Sequence, residues 1–465
     1  MSRLLISAAH KSSGKTTVSL GLCAALAERG LAVQPFKKGP DYIDPMWLGK
    51  AAGRPCHNLD FYCMSHAEIL TTIGHYSATA DIALIEGNKG LYDGLDLDGS
   101  NSNAALARLT GTPVILVLDA RGMTRGIAPL VLGYQAFDPE VQIAGIILNQ
   151  LGGSRHEAKL RAVIEHYTDI PVIGGIHRDP SMQIVERHLG LIPSNEASAA
   201  DQKIGHIRDL VKAQVDLDRL LAVAGDAPFA FSPPPARDTP PGEPVRIGSA
   251  QDASFGFYYP DDLDALQQAG ARLVTINTLE DRRLPDIDGL FIGGGFPESR
   301  MQELEANIEL RETIRDALHN GLPAYAECGG LMYLTRSLSW QGQRCDMVGT
   351  IPADTVMHAR PQGRGYVRLK ETAAAPWPGS APAGEIAGHE FHYSELIPGN
   401  TAMETAYTVT ARSGALRVNE GYQSLRCLGS YIHLHFGSCP DAAGCFVETC
   451  QPVSYTHLTL PTIQH

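Results

Sequence analysis

Two stretches of this 465-residue sequence hold residue types that do chemistry at a spacing that matters. The first is Ala8-Ala9-His10-Lys11-Ser12-Ser13-Gly14-Lys15-Thr16-Thr17. A short apolar run precedes it, and residues 18–29 follow with a helical pattern. Strand, Gly/Ser loop, Gly-Lys-Thr and helix form a phosphate cradle, a Walker A loop. The loop amides and the helix N-terminus bind the anion, Lys15 reaches the outer phosphates and the Thr16 hydroxyl binds Mg2+. Ser13, Gly14 and Thr17 complete the nucleotide contacts. The second stretch is Pro323-Ala324-Tyr325-Ala326-Glu327-Cys328-Gly329-Gly330-Leu331-Met332. An apolar strand runs straight into a cysteine, two glycines and a helix. Small neighbours allow the sharp turn that exposes a nucleophile, and a helix N-terminus favours its thiolate. The earlier Gly293-Gly294-Gly295 run offers backbone N–H groups, with Gly294 and Gly295 as an oxyanion hole. The base should be a histidine far along the chain. The candidates lie in Tyr431-Ile432-His433-Leu434-His435-Phe436 and Gly388-His389-Glu390-Phe391-His392-Tyr393.

Three further loops follow strand-length apolar runs. They are Lys37-Lys38-Gly39-Pro40-Asp41-Tyr42-Ile43-Asp44-Pro45, Glu86-Gly87-Asn88-Lys89-Gly90-Leu91-Tyr92-Asp93-Gly94 and Asp119-Ala120-Arg121-Gly122. Glycine and proline let such loops bend tightly under a ligand, and their carboxylates can bind Mg2+ or orient a polar substrate. Asn149 also ends a strand, where its amide would read an adenine edge.

The elements that position these residues repeat as strand then helix from residue 3 to about residue 221. Continuous apolar runs over 4–7, 32–36, 82–86, 114–119, 143–149 and 172–176 read as parallel strands covered on both faces. Residues 102–110 and 157–167 read as helices between them. This predicts an α/β, doubly wound sheet with its site beyond the carboxyl ends of the strands. Residues 225–244 hold seven prolines and read as a semi-rigid linker. A second α/β pattern then begins, with strands over 246–250, 272–276 and 289–292 and helices over 260–269 and 301–320. The domains are therefore expected at 1–224 and 245–450, with 451–465 a disordered tail. A length of 465 residues suits two or three cores. The net charge of −13 argues against nucleic acid or an anionic membrane as the main partner. No run approaches a membrane span, and nine cysteines without CxxC pairs suit reduced thiols and a cytoplasmic setting. The spacing of Cys439, Cys445 and Cys450 fits no zinc pattern.

In combination these motifs resemble the cobyrinic acid a,c-diamide synthase family, over nearly the whole chain up to the tail. The match takes in residues 11–17 and 37–45, residues 86–94, Arg187-His188-Leu189-Gly190-Leu191, residues 293–298, 326–330, 388–394 and 430–436. The loop with Ala9 in place of the first glycine resembles the deviant Walker A class, in which the extra lysine, here Lys11, contacts phosphates. The resemblance implies an N-terminal ATP-dependent amidoligase domain, similar to dethiobiotin synthetase, joined to a C-terminal class I glutamine amidotransferase domain. It implies amidation of carboxylates on a tetrapyrrole-derived macrocycle with ATP, L-glutamine and Mg2+. Thr16, Asp41 and Glu86 are then the Mg2+ ligands, while Asp41, Tyr42, Asp44, Asn88, Lys89 and Asp93 face the substrate. Cys328 attacks the glutamine amide, His433 is the base, and the ammonia released needs a closed path to the acyl phosphate. A homodimer is among the expected assemblies.

Two departures from the family pattern stand out. Class I amidotransferases usually carry His-x-Glu, but His433 is followed by Leu434 and His435, so His435 or a carboxylate elsewhere orients the base. The family usually has two apolar residues where Asn88 and Lys89 stand, and that change admits sirohaem or sirohydrochlorin as an alternative macrocycle. From another class, Lys11 allows a partner-binding switch ATPase like the partitioning ATPases. A biotin-pathway ligase with a degenerate second domain is a third reading, and Cys328 with His433 weakens it.

Overall fold

The apolar run at the N-terminus forms the central strand of a seven-stranded sheet. The computed structural model describes residues 2–184, 186–187, 190–195, 199–225, 243–377, 384–399, 403–412, 414 and 416–451. His188 and Leu189 of the Arg187–Leu191 motif, residues 226–242 of the proline-rich linker and residues 452–465 of the tail lie outside them. The chain divides into two compact units, Met1–Ala236 and Arg237–His465.

In the first unit β1 (Ser2–Ala8) leads to α1 (Lys15–Glu28), β2 (Val33–Lys38), α2 (Ile43–Ala52), β3 (His57–Leu59), α3 (His66–Ser77), β4 (Ile82–Glu86), α4 (Asn103–Thr110), β5 (Val114–Asp119), α5 (Ile127–Phe137), β6 (Ile143–Leu151), α6 (Ser154–Tyr167) and β7 (Val172–His177). The strand order is β3-β2-β4-β1-β5-β6-β7, and all pairs are parallel. Leu4, Leu5 and Ile6 are fully buried, which contributes about 1.5–3 kcal/mol each. The strand order reverses at β1, so its carboxyl end, with those of β2, β4 and β5, opens on the crevice where such sheets bind ligands. α1 starts at Lys15, inside the loop motif, rather than at residue 18.

The second unit holds a ten-stranded sheet. Its parallel half runs Ala271–Ile276, Val245–Ala250, Gly289–Ile292, Ala324–Glu327 and Cys427–Ser430. The sheet continues antiparallel through Leu416–Ser424, Thr405–Ala411, Gly363–Glu371, Ile386–His392 and His433–Leu434. The helix expected over 301–320 is two helices, Met301–Ala306 and Ile308–His319. Asn307 breaks it, because its side chain donates to Thr278 O at 2.9 Å and Asp281 O at 2.8 Å and its backbone leaves the helical region. Among the described residues, no helix is long and apolar enough to cross a membrane.

Candidate active sites

The phosphate loop takes the strand-to-helix geometry its sequence demands. Gly14 has φ 84°, and a Cβ there would sit 2.2 Å from Asn149 Nδ2, so only glycine fits. Ser13 is buried, and its hydroxyl donates to His10 O at 2.8 Å. Asn149 Nδ2 donates to Ser13 O at 2.9 Å, so the side chain expected to read an adenine edge also ties down the loop. Lys15 is buried at the start of α1, Thr16 and Thr17 are half-buried beside it, and Lys11 is exposed on the loop. Burial lowers the Lys15 pKa, Lys37 adds to this, and Glu86, Asp44 and Asp93 oppose it.

Beside the loop lies a dense charge cluster. Glu86, at the end of β4, is fully buried. The Thr16 hydroxyl donates to Glu86 Oε1 at 2.8 Å and to Asp44 Oδ2 at 3.2 Å. Lys37 Nζ, from β2, donates to Asp44 Oδ2 at 2.5 Å and Glu86 Oε1 at 2.9 Å, and lies 3.8 Å from Asp41 Oδ2. Burial pulls the Lys37 pKa down, but Asp44, Glu86 and Asp41 outweigh it and hold the pKa well above its usual value. The Asp41 carboxyl is pushed up to about 7, by desolvation first and by the Asp44 charge next. Burial likewise raises the Glu86 pKa against the pull of Lys37. Glu86 Oε2 is buried without a hydrogen-bond partner, an oxygen placed to ligate a cation. With Thr16 and Asp44 it makes a hard-oxygen set that fits Mg2+. Asp44, expected to face substrate, thus converges with Thr16 and Glu86 more closely than Asp41, whose Oδ1 caps the start of α2 through Ile43 N and Asp44 N.

The other substrate-facing candidates lie on the segments that follow β2 and β4. Tyr42 is buried at the start of α2, Asn88 is half-buried, and Lys89 is exposed at φ 41°. Lys38 Nζ donates to Asn88 Oδ1 at 3.3 Å, and burial brings Lys38 down to about 8. Asp93 Oδ2 accepts from Gly90 N at 2.9 Å and so closes its own loop. The sequence did not single out Asn103. Its Oδ1 accepts from Asn88 N at 3.2 Å and its Nδ2 donates to Gly90 O at 2.9 Å and Ser7 Oγ at 3.1 Å, fixing the loop after β4. An asparagine at the N-terminal end of an apolar helix after a Gly-rich loop was the available signal.

In the second unit Cys328 stands at φ 48°, ψ −101°, a strained backbone for any residue with a Cβ. The strain is held by Cys328 N donating to Ser430 O at 2.7 Å and by the parallel pairing of 324–327 with 427–430. A Cβ on Gly329 would lie 2.9 Å from the Gly295 amide nitrogen, and one on Gly294 would lie 2.7 Å from His433 Cε1. The triple-glycine loop, the elbow and His433 are therefore brought together. Burial would lower the His433 pKa, but hydrogen bonds to the Cys328 thiol and to Glu327 outweigh it and raise it to about 10. The other candidate histidines have other duties. His389 stacks on His433 with ring centroids 5.1 Å apart, and burial drives its pKa well below the usual value. His392 lies 2.7 Å from Ser394 O through Nδ1 and stacks on Tyr431. His435 contacts Ser438 Oγ at 2.7 Å and Asp261 Oδ2 at 3.2 Å, and so turns away from His433. Instead Glu327 Oε2 lies 3.2 Å from His433 Nδ1.

Comparisons with known proteins agree with this architecture. Residues 5–192 match the family model described as CobQ/CobB/MinD/ParA nucleotide binding domain, and residues 246–440 match the CobB/CobQ-like glutamine amidotransferase domain. A cobyrinate a,c-diamide synthase from Magnetococcus marinus is 46% identical over 447 residues, covering 95% of this chain and 95% of that protein. One from Methanosarcina acetivorans is 43% identical, covering 96% of this chain and 95% of its own length. One from Listeria monocytogenes is 40% identical over 94% of this chain and 96% of its own length. The chain therefore belongs to the cobyrinate a,c-diamide synthase family, enzymes that pair a nucleotide-binding domain with a glutamine amidotransferase domain to form C–N bonds.

Proposed function

We propose that this enzyme amidates two peripheral carboxylates, a and c, of cobyrinic or hydrogenobyrinic acid with ATP and glutamine. The observation that carries the reading is the Cys328–His433 pair on a strained elbow, in a chain whose other unit holds Lys15, Thr16 and Glu86 around a phosphate loop. A carboxylate is a poor acceptor for ammonia, so it must first be activated. In the proposed first half-reaction a substrate carboxylate oxygen attacks the γ-phosphorus of ATP, ADP leaves, and an acyl phosphate forms. Lys11 and Lys15 stabilise the phosphate charge. Thr16, Asp44 and Glu86, with Asp41 beside them, would hold Mg2+, which supplies further charge neutralisation on the phosphates. Asp41, Tyr42, Asp44, Asn88, Lys89 and Asp93 orient the macrocycle. In the second half-reaction the Cys328 sulfur attacks the glutamine side-chain carbon, and the amides of Gly294 and Gly295 receive the developing oxyanion. His433 passes a proton to the leaving ammonia, and water later releases glutamate from the thioester. The ammonia travels by a closed path to the acyl phosphate and displaces phosphate. The division of labour places amidoligase chemistry at 1–224 and glutaminase chemistry at 245–450.

The same chemistry on sirohydrochlorin is a second reading, favoured by Asn88, which meets Lys38, and by exposed Lys89. Product masses separate the two. The enzyme is incubated with ATP, glutamine and either cobyrinic acid or sirohydrochlorin, and the expected result is two amide mass shifts on the corrinoid alone. Shifts on sirohydrochlorin alone would reverse the substrate assignment. Cys328→Ala should lose the glutamine-dependent shifts and keep those supported by ammonia. Loss of both in a folded variant contradicts the division of labour. A chain with ATPase activity and no glutaminase activity would be a switch ATPase instead.

A further inference from the structure

The usual third member of the glutaminase triad, a carboxylate two residues after the base, is missing here because position 435 is histidine. We infer that Glu327, the residue directly before the nucleophile, takes that task and positions His433 through its Nδ1, an inference that rests on the glutaminase reading of Cys328 and His433. Glu327 Oε2 lies 3.2 Å from His433 Nδ1, and both side chains are almost fully buried. The carboxylate is itself fixed. Its Oε1 accepts from the Tyr325 hydroxyl at 2.7 Å and from Leu434 N at 3.1 Å. Two donors on one oxygen fix the buried carboxylate and aim the other oxygen at the ring. With Nδ1–H donating to Oε2, Nε2 is the nitrogen that faces the sulfur and exchanges a proton with it.

The other buried acids nearby are committed elsewhere. Asp261 meets His435, and Asp262 accepts from Phe436 N at 2.6 Å. Glu390 lies 3.6 Å from His392, and Glu420 accepts from Ser430 Oγ and Tyr431 N. The placement follows from strand register. Glu327 pairs with Ser430 in the parallel sheet, and the chain from Ser430 needs only three residues to bring His433 back over it. One strand end thus supplies nucleophile and orienting carboxylate on successive residues, both meeting the His433 ring.

Glu327→Gln keeps the shape and removes the charge. Glutamine hydrolysis by the full chain should lose about 10²-fold in kcat, with KM for glutamine held within about twofold. Ammonia-dependent amidation should be unchanged. The groups facing His433 are Cys328, Glu327 and His389, with Tyr325 and Asp262 behind the carboxylate. Removing the negative charge among them should move the alkaline limb of kcat/KM set by His433 to lower pH, because Glu327 is one of the groups that raise the His433 pKa. Glu327→Asp keeps the charge but shortens its reach. Its kcat should fall while the limb stays near the wild-type position, and this variant decides the matter where the Gln variant does not fold. In a His433→Ala background, Glu327→Gln should cost nothing further, because the two act as one unit. Wild-type kcat in the Gln variant overturns the inference, and so does an equal loss in both backgrounds. Glutaminase activity surviving Cys328→Ala would instead overturn the reading beneath it.

Discussion

The two candidate sites handle charge in opposite ways. The cluster around Lys37 crowds one ammonium among Asp41, Asp44 and Glu86, and leaves Glu86 Oε2 buried without a partner. It is a site whose electrostatics are completed by what binds. The thiol site is complete in itself: Cys328, His433, Glu327 and Tyr325 form one chain of hydrogen bonds, held by a strained backbone. Under the function proposed above, the first site accepts a nucleotide and a large polyanion and needs room for charge to rearrange. Under the same proposal, the second repeats one acyl transfer on a small amide and gains from having nothing left to rearrange.

That contrast can be broken in order of expected size. Lys15→Ala should lower amidation from glutamine and from ammonia alike by roughly 10³-fold, since the phosphate charge loses its main partner. Basal glutamine hydrolysis should persist, and a coupled ADP assay beside a glutamate assay reads both. Retained amidation would remove the phosphate loop from the mechanism. Gly294→Ala places a methyl carbon 2.7 Å from His433 Cε1. Glutaminase kcat should fall by about 10²-fold with ammonia-dependent amidation intact, and an unchanged kcat would show the thiol site is less preorganised than argued. Lys89→Ala is the smallest. The side chain is exposed, so the melting free energy should move by less than about 0.5 kcal/mol. KM for the macrocycle should shift a few-fold, measured by product mass at varied substrate. No shift would remove Lys89 from the substrate loop.

Legibility in the sequence followed burial and contact order. β1, β4 and β5 are continuous apolar runs buried on both faces, so each is visible from its own residues. β3, His-Asn-Leu, is three residues whose strand state comes from its neighbour β2, and no local pattern announces it. In the second unit the antiparallel half went unread, although 363–371 alternates buried Gly363, Val367 and Leu369 with exposed Arg364, Arg368 and Lys370. That period of two was the missed signal. Cys328 was legible because strand, cysteine and two glycines lie in sequence. The Glu327–His433 contact was not, since it joins residues 106 apart and no local pattern says which carboxylate elsewhere in the chain meets the base. The Lys37 cluster was half legible: its loops stood out, but which carboxylate meets Thr16 depends on the turn into α2.

Asn103 grips the loop after β4 by main-chain atoms, the amide of Asn88 and the carbonyl of Gly90. The loop's path is therefore held by backbone groups rather than by the side chain at 88, while position 89, at φ 41°, still needs a residue that tolerates the left-handed region. The side chain at 88 can then be exchanged while the backbone path of this loop stays where it is. The side-chain amide of one helix-start residue thus sets the path of this loop, apart from the side chains the loop displays.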